Sequence, residues 1–205
     1  MASALAHIIE DVKGQSTALA VLLVAAMLMF SMFAIDFGMM WLERTRQADM
    51  LQQSEAACME PAVSLKVKNS MTPGRDMCAA LAGQLRASGF KGSIEAYYYE
   101  LGPADGVTDE ASRAYAFGAT VSGEVPLTFA ALAGVTLPTI QSRTWTHAKF
   151  YSSEKVWRPP SSSNGRLMVD AGKPVSSGTW TSCSSANETM MPGVGAALEK
   201  ARLSR

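Results

Sequence analysis

Between Lys13 and Asp36 the chain carries no charged side chain, and from Ala18 to Ile35 every residue except Ser31 is Ala, Val, Leu, Ile, Met or Phe. A helix rises about 1.5 Å per residue, so a run of this length reaches about 30 Å, the thickness of a bilayer's hydrocarbon core. The segment is predicted to be a single membrane span, with everything after Trp41 working on one side of a bilayer. A cleaved secretory signal is the first rival. It calls for a basic leader, a core of about 7 to 15 residues and a small-x-small cleavage site. Here Glu10 and Asp11 precede Lys13, the core is longer, and it exits through Phe33-Ala-Ile-Asp-Phe-Gly38. A buried helix of a soluble protein is the second rival, but the remainder of the chain offers too little apolar surface to wrap a helix on all sides.

Charge leaves the orientation open. Lys13 stands on one side of the span and Arg44 with Arg46 on the other, which alone would keep the larger part of the chain in the cytoplasm. Long following domains translocate regardless of such small differences. The full chain of 205 residues has 18 basic and 18 acidic side chains and a formal net charge of zero. No basic stripe points to nucleic acid, and no juxtamembrane cluster points to anionic lipid.

Helical character continues past the span. From Trp41 to Met59 there is no Gly or Pro, and Pro61 closes the run. A helix from Gln15 to Cys58 would extend roughly 66 Å, with Trp41, Ala48, Leu51 and Cys58 as the stripe that packs on a globular head. Beyond it, Ala62 to Lys68 alternates Val63, Leu65 and Val67 with other residues and reads as a brief strand. Thr72 is predicted to cap a helix that has Pro73 at its first position, buries Met77, Leu81 and Leu85, and stops at Gly89.

Ser93 to Glu100, Arg113 to Val125 and Ile140 to Tyr151 read as strands. The second should show Tyr115, Phe117, Ala119 and Val121 on one face. The third should show Thr144, Thr146, Ala148 and Phe150 on one face and Trp145 on the other. Arg158 to Gly193 is rich in Ser, Gly and Pro and reads as loop or disorder, with small strands at Leu167–Val169 and Gly178–Thr181. A short terminal helix is indicated by Val194, Ala197, Leu198 and Ala201. This order predicts an α+β fold in which a long N-terminal transmembrane and stalk helix and a second helix pack on a small antiparallel sheet. The expected boundaries are 1–14 for a cytoplasmic leader, 15–60 for the span and stalk, 61–151 for the head and 152–205 for the C-terminal region.

The leader Gly14-Gln15-Ser16-Thr17, the span ending in Ile35-Asp36-Phe37-Gly38 and the polar helical exit resemble the TadE-like proteins of tight-adherence pili, in the type IV pilin-like class. The strand-loop-strand part, Val121-Ser-Gly-Glu-Val-Pro-Leu127 followed by a linker and a Thr-rich strand, is similar to the same family. The resemblance covers about Gly14 to Tyr151. It implies a pilin-like fold, an N-terminus in the cytoplasm and a C-terminal domain outside it, pilin-like or assembly-platform partners, and a processing site between Gly14 and Gln15. One departure matters. In prepilins the fifth residue after the cleaved Gly is Glu, and here that position is Leu19. The missing carboxylate favours an assembly component or minor pilin over a major filament subunit, with little or no cleavage at Gly14.

Asp36 closes the span and has two readings: a carboxylate solvated among head groups, or a contact to a partner helix in an assembly platform. Three cysteines in a secreted domain usually form one bridge and leave one thiol, and three pairings exist. Cys58 with Cys78 is chosen because both sit on helices expected to pack together; three reduced, buried thiols are the alternative. His7 and His147 are the only histidines. His147 falls within a strand, and no Cys-x-x-Cys or Gly-rich phosphate loop accompanies them. The sequence thus points to no catalytic residue, no metal, no cofactor and no small-molecule substrate, leaving two functional classes: a pilus or secretion assembly component, or a stand-alone membrane-anchored binding module.

Overall fold

A computed structural model describes residues 2–102, 105, 114–125, 127, 129, 138–149 and 163–203 of the chain. It is an α+β protein with one long apolar N-terminal helix and a five-stranded antiparallel sheet. Two compact units can be distinguished, Met1–Leu42 with Val125–Pro138, and Glu43–Glu124 with Thr139–Arg205.

Helix α1 runs Ala2–Cys58. In the first unit its apolar side chains face outward: Phe30 and Phe33 are each 78% exposed, and the most apolar stretch has a mean hydropathy of 2.6 with none of it buried. Ser31, the one hydroxyl between Ala18 and Ile35, donates to the Met27 carbonyl at 2.9 Å, so the helix satisfies it internally.

In the second unit the outer part of α1 buries Gln47, Met50, Leu51, Ser54, Glu55 and Cys58. Alternating steps of three and one place them on one helical face. The expected stripe is half right. Leu51 and Cys58 lie on the buried face, whereas Trp41 and Ala48 are exposed.

The segment Pro61–Lys68, expected as a strand from Ala62 to Lys68, is helix α2. Pro61 supplies a helical φ at the first turn, where its missing N–H costs nothing. Val63 and Val67 satisfy a two-residue and a four-residue repeat equally well. Leu65 separates the two readings, and it is 47% exposed while Val67 is buried.

Helix α3, Pro73–Ala87, buries Met77, Cys78, Leu81, Ala82 and Leu85. Thr72 occupies the N-cap position, but its side chain makes no capping bond. Ser70 Oγ instead accepts the N–H of Thr72 itself and donates to the Asp76 carboxylate one turn into the helix. Gly89, at φ +86°, ends the helix in the left-handed conformation that glycine adopts without strain. Gly74 is needed for space: a Cβ there would lie 1.6 Å from the Ser163 carbonyl oxygen.

The strands are β1 (Ser93–Glu100), β2 (Ala114–Glu124), β3 (Thr139–Lys149), β4 (Gly165–Val169) and β5 (Thr179–Ser182). They lie in the order β3-β2-β1-β4-β5, so β3 and β5 are the edges. Both faces of the sheet are covered. On one, Ile94, Ala96, Tyr98, Tyr115, Phe117, Ala119, Val121, Leu167 and Val169 form a core with the buried faces of α1 and α3. On the other, Tyr97, Tyr99, Ala114 and Ala116 pack with Met191, Val194, Ala197 and Leu198. Helix α4, Val194–Leu203, supplies the last three. Trp145 stacks on Tyr97 at 5.5 Å and donates its indole N–H to the Pro192 carbonyl at 2.9 Å. The C-terminal region, read mainly as loop, therefore supplies two strands and a helix to the second unit.

Candidate functional site

Three places hold the chemistry-bearing side chains. The first is a cleft of about 470 Å³ between the outer part of α1 and edge strand β3, lined among others by Leu51, Gln52, Glu55, Met59, Arg143 and Thr146. Glu55 is 6% exposed. Its Oε2 accepts hydrogen bonds from Thr146 Oγ1 at 2.7 Å and Thr144 Oγ1 at 3.1 Å. Its Oε1 is buried and has no hydrogen-bond partner among the described residues. Burial pushes this carboxyl above the ordinary carboxylate range, and the two threonine hydroxyls partly offset that. One carboxyl oxygen is thus paired with two hydroxyls, and the other is buried without a partner among the described residues.

The second place is the cysteine pair. Cys58 on α1 and Cys78 on α3 belong to one buried core, and both are free thiols, as is the partly buried Cys183. The bridge expected between Cys58 and Cys78 is thus not formed in this structure, and the two side chains act as small apolar groups filling the helix–helix contact. Burial, reinforced by Glu55, pushes the Cys58 thiol up to about 12. Burial first and the neighbouring Cys58 second raise Cys78 as well. Both are held as unreactive thiols at neutral pH.

The third place is Asp36, within the first unit. Its Oδ1 accepts a hydrogen bond from the backbone N–H of Phe129 at 3.3 Å, across 93 residues of sequence. At the base of the same excursion the Val125 N–H donates to the Pro138 carbonyl at 3.2 Å. The carboxylate at the end of the apolar run therefore has a partner in its own chain. Gly14 and Gln15, the candidate processing site, lie within α1. His147 lies in β3, and no group of three or more His, Cys, Asp or Glu able to hold a metal occurs among the described residues.

Sequence reasoning named Asp36, Cys58 and Cys78 but missed Glu55, Thr144 and Thr146 as a cluster. A signal existed: Glu55 is four residues after Leu51 and three before Cys58, so it had to share their buried face. Threonine at alternate positions of β3 then places two hydroxyls on one face of the sheet. No protein-family model, curated protein or solved structure matches the chain.

Proposed function

We propose that this protein is a membrane-anchored, pilin-like assembly component or minor pilin of a tight-adherence pilus or secretion apparatus, acting through lateral helix and head contacts. One observation carries the reading: the same helix that buries a face in an α+β core also presents an uncharged run of bilayer length whose side chains are exposed. Such exposure is costly in water and favourable in lipid. The TadE-like order of leader, span, polar helix and strand-loop-strand supports the specific apparatus. The cleft beside β3 supports contact with another protein, because among the described residues that strand is an edge with one unpaired side. We take the protein to act by contact rather than by catalysis. The head is assigned to the extracytoplasmic side.

Alkaline carbonate extraction with protease treatment of spheroplasts tests the anchor and its orientation. The protein stays in the membrane pellet and its head is digested; release into the supernatant, or a fully protected head, overturns the reading. Chemical cross-linking in membranes from cells carrying the whole apparatus should join it to pilin-like or platform proteins. Recovery of soluble envelope ligands alone would favour a stand-alone binding module.

A further inference from the structure

The Val125–Pro138 excursion connects strands β2 and β3, yet it belongs to the same compact unit as the apolar part of α1. Asp36 sets its depth. The uncharged run ends at Ile35, so at about 1.5 Å per residue Asp36 stands where a hydrocarbon core of about 30 Å gives way to head groups. The Phe129 amide, 3.3 Å from the Asp36 carboxylate, stands at the same level. Phe37 (62% exposed) and Trp41 (66% exposed) lie within about 8 Å of that level along the helix, where aromatic rings favour the bilayer interface. Phe129 is itself partly exposed. Around it the chain has no charged residue between Glu124 and Arg143, so no side chain there demands full hydration.

Resting on the membrane-anchored reading, we infer that Phe129 is a second lipid contact: its side chain meets the head-group and upper acyl region, and its backbone is held against the span by the Asp36 carboxylate. The chain then touches the bilayer at two points far apart in sequence. Phospholipid is the chosen partner because this depth is fixed by the span itself, and because Phe37 and Trp41 expose aromatic rings at nearly the same level along the helix.

The test places the photocrosslinker benzoylphenylalanine at position 129, at position 30 within the span, or at position 173 in the second unit. Each full-length variant is first shown by circular dichroism to match the parent, then reconstituted into phosphatidylethanolamine–phosphatidylglycerol vesicles and irradiated. Mass spectrometry should find phospholipid adducts from positions 30 and 129 and none from 173. Adducts at 30 without any at 129, or a cross-link from 129 to a second copy of the chain, overturn the lipid contact while leaving the anchor intact. No adduct at 30 overturns the anchor and the lipid contact with it. Asp36→Ala provides the second variant: it should lower the adduct yield at 129 several-fold and leave that at 30 unchanged. An unchanged yield at 129 overturns the role given to the carboxylate.

Discussion

The two parts of α1 invert the usual relation between polarity and burial. Between Leu19 and Leu42 the helix exposes Leu, Val, Met, Phe and Trp, whereas between Gln47 and Cys58 it buries a glutamine, a serine and a glutamate. The difference lies in what each part must satisfy. In the first, the helix meets its own backbone and Ser31 requirements internally, and its exposed surface is apolar, as a surrounding apolar phase would require. In the second, one face of the helix shares a core with the sheet and α3, and some polar groups on that face find partners while others do not. Burial on a helix is thus set by its neighbours and only loosely by hydropathy.

The sharpest way to break this comparison is to put charge into the exposed apolar part. Leu23→Arg with Met27→Arg should cost about 5–7 kcal/mol of insertion free energy and move the protein out of the carbonate-resistant pellet. If the double variant stays fully membrane-bound, the exposed surface of this part is not a lipid surface.

Next in size is the buried face of the outer part. Leu51 is 1% exposed within the core, and Leu51→Ala should lower stability by about 2–5 kcal/mol in urea titrations of the full chain in detergent micelles. The neighbouring exposed Gln52→Ala should stay within about 0.5 kcal/mol of the parent. Equal effects at the two positions would place the buried face elsewhere on the helix.

Gln47 sharpens the comparison in the opposite direction. It is fully buried, its Oε1 lacks a partner among the described residues, and its Nε2 reaches only Glu43 Oε1 at 3.4 Å. Replacing it with leucine, of similar size, should raise stability by about 1 kcal/mol, since a poorly satisfied buried amide is removed. A loss of stability of that size would reveal a polar role for the amide.

The smallest effect concerns Glu55 and pH. Its folded carboxyl titrates above the unfolded one, so its contribution to stability is fully present below the ordinary carboxylate range and is lost as pH rises through the elevated value. Glu55→Gln keeps an acceptor for Thr144 and Thr146 and removes the titration. Urea midpoints between about pH 4 and 8 should therefore show the parent losing stability relative to the variant as pH rises. Parallel curves would mean that the carboxylate is compensated in the folded state.

The same contrast explains what could be read from residues alone. β1, β2 and β3 were legible because their alternation and aromatic content are strong, and α3 because Met77, Leu81 and Leu85 recur at helical spacing with Pro73 before and Gly89 after. Ala62–Lys68 was misread because Val63 and Val67 fit both periods. The C-terminal strands were only glimpsed, because β4 and β5 are short and β4 gains its stability by pairing with β1 far back in the sequence. Glu55 was passed over as one more helix-favouring polar residue, since its sequence neighbours do not disclose that Thr144 and Thr146 will meet it.

By itself the sequence determined the uncharged apolar run, the long helix and the α+β order of elements, because these depend on local composition and on periods that a few residues establish. Tertiary structure alone decided that Pro61–Lys68 is helical, that Glu55 meets Thr144 and Thr146, and that Asp36 meets Phe129. Each of these joins groups through space, and the free energy of burying or pairing a side chain is set by the partner that arrives, which local sequence does not contain.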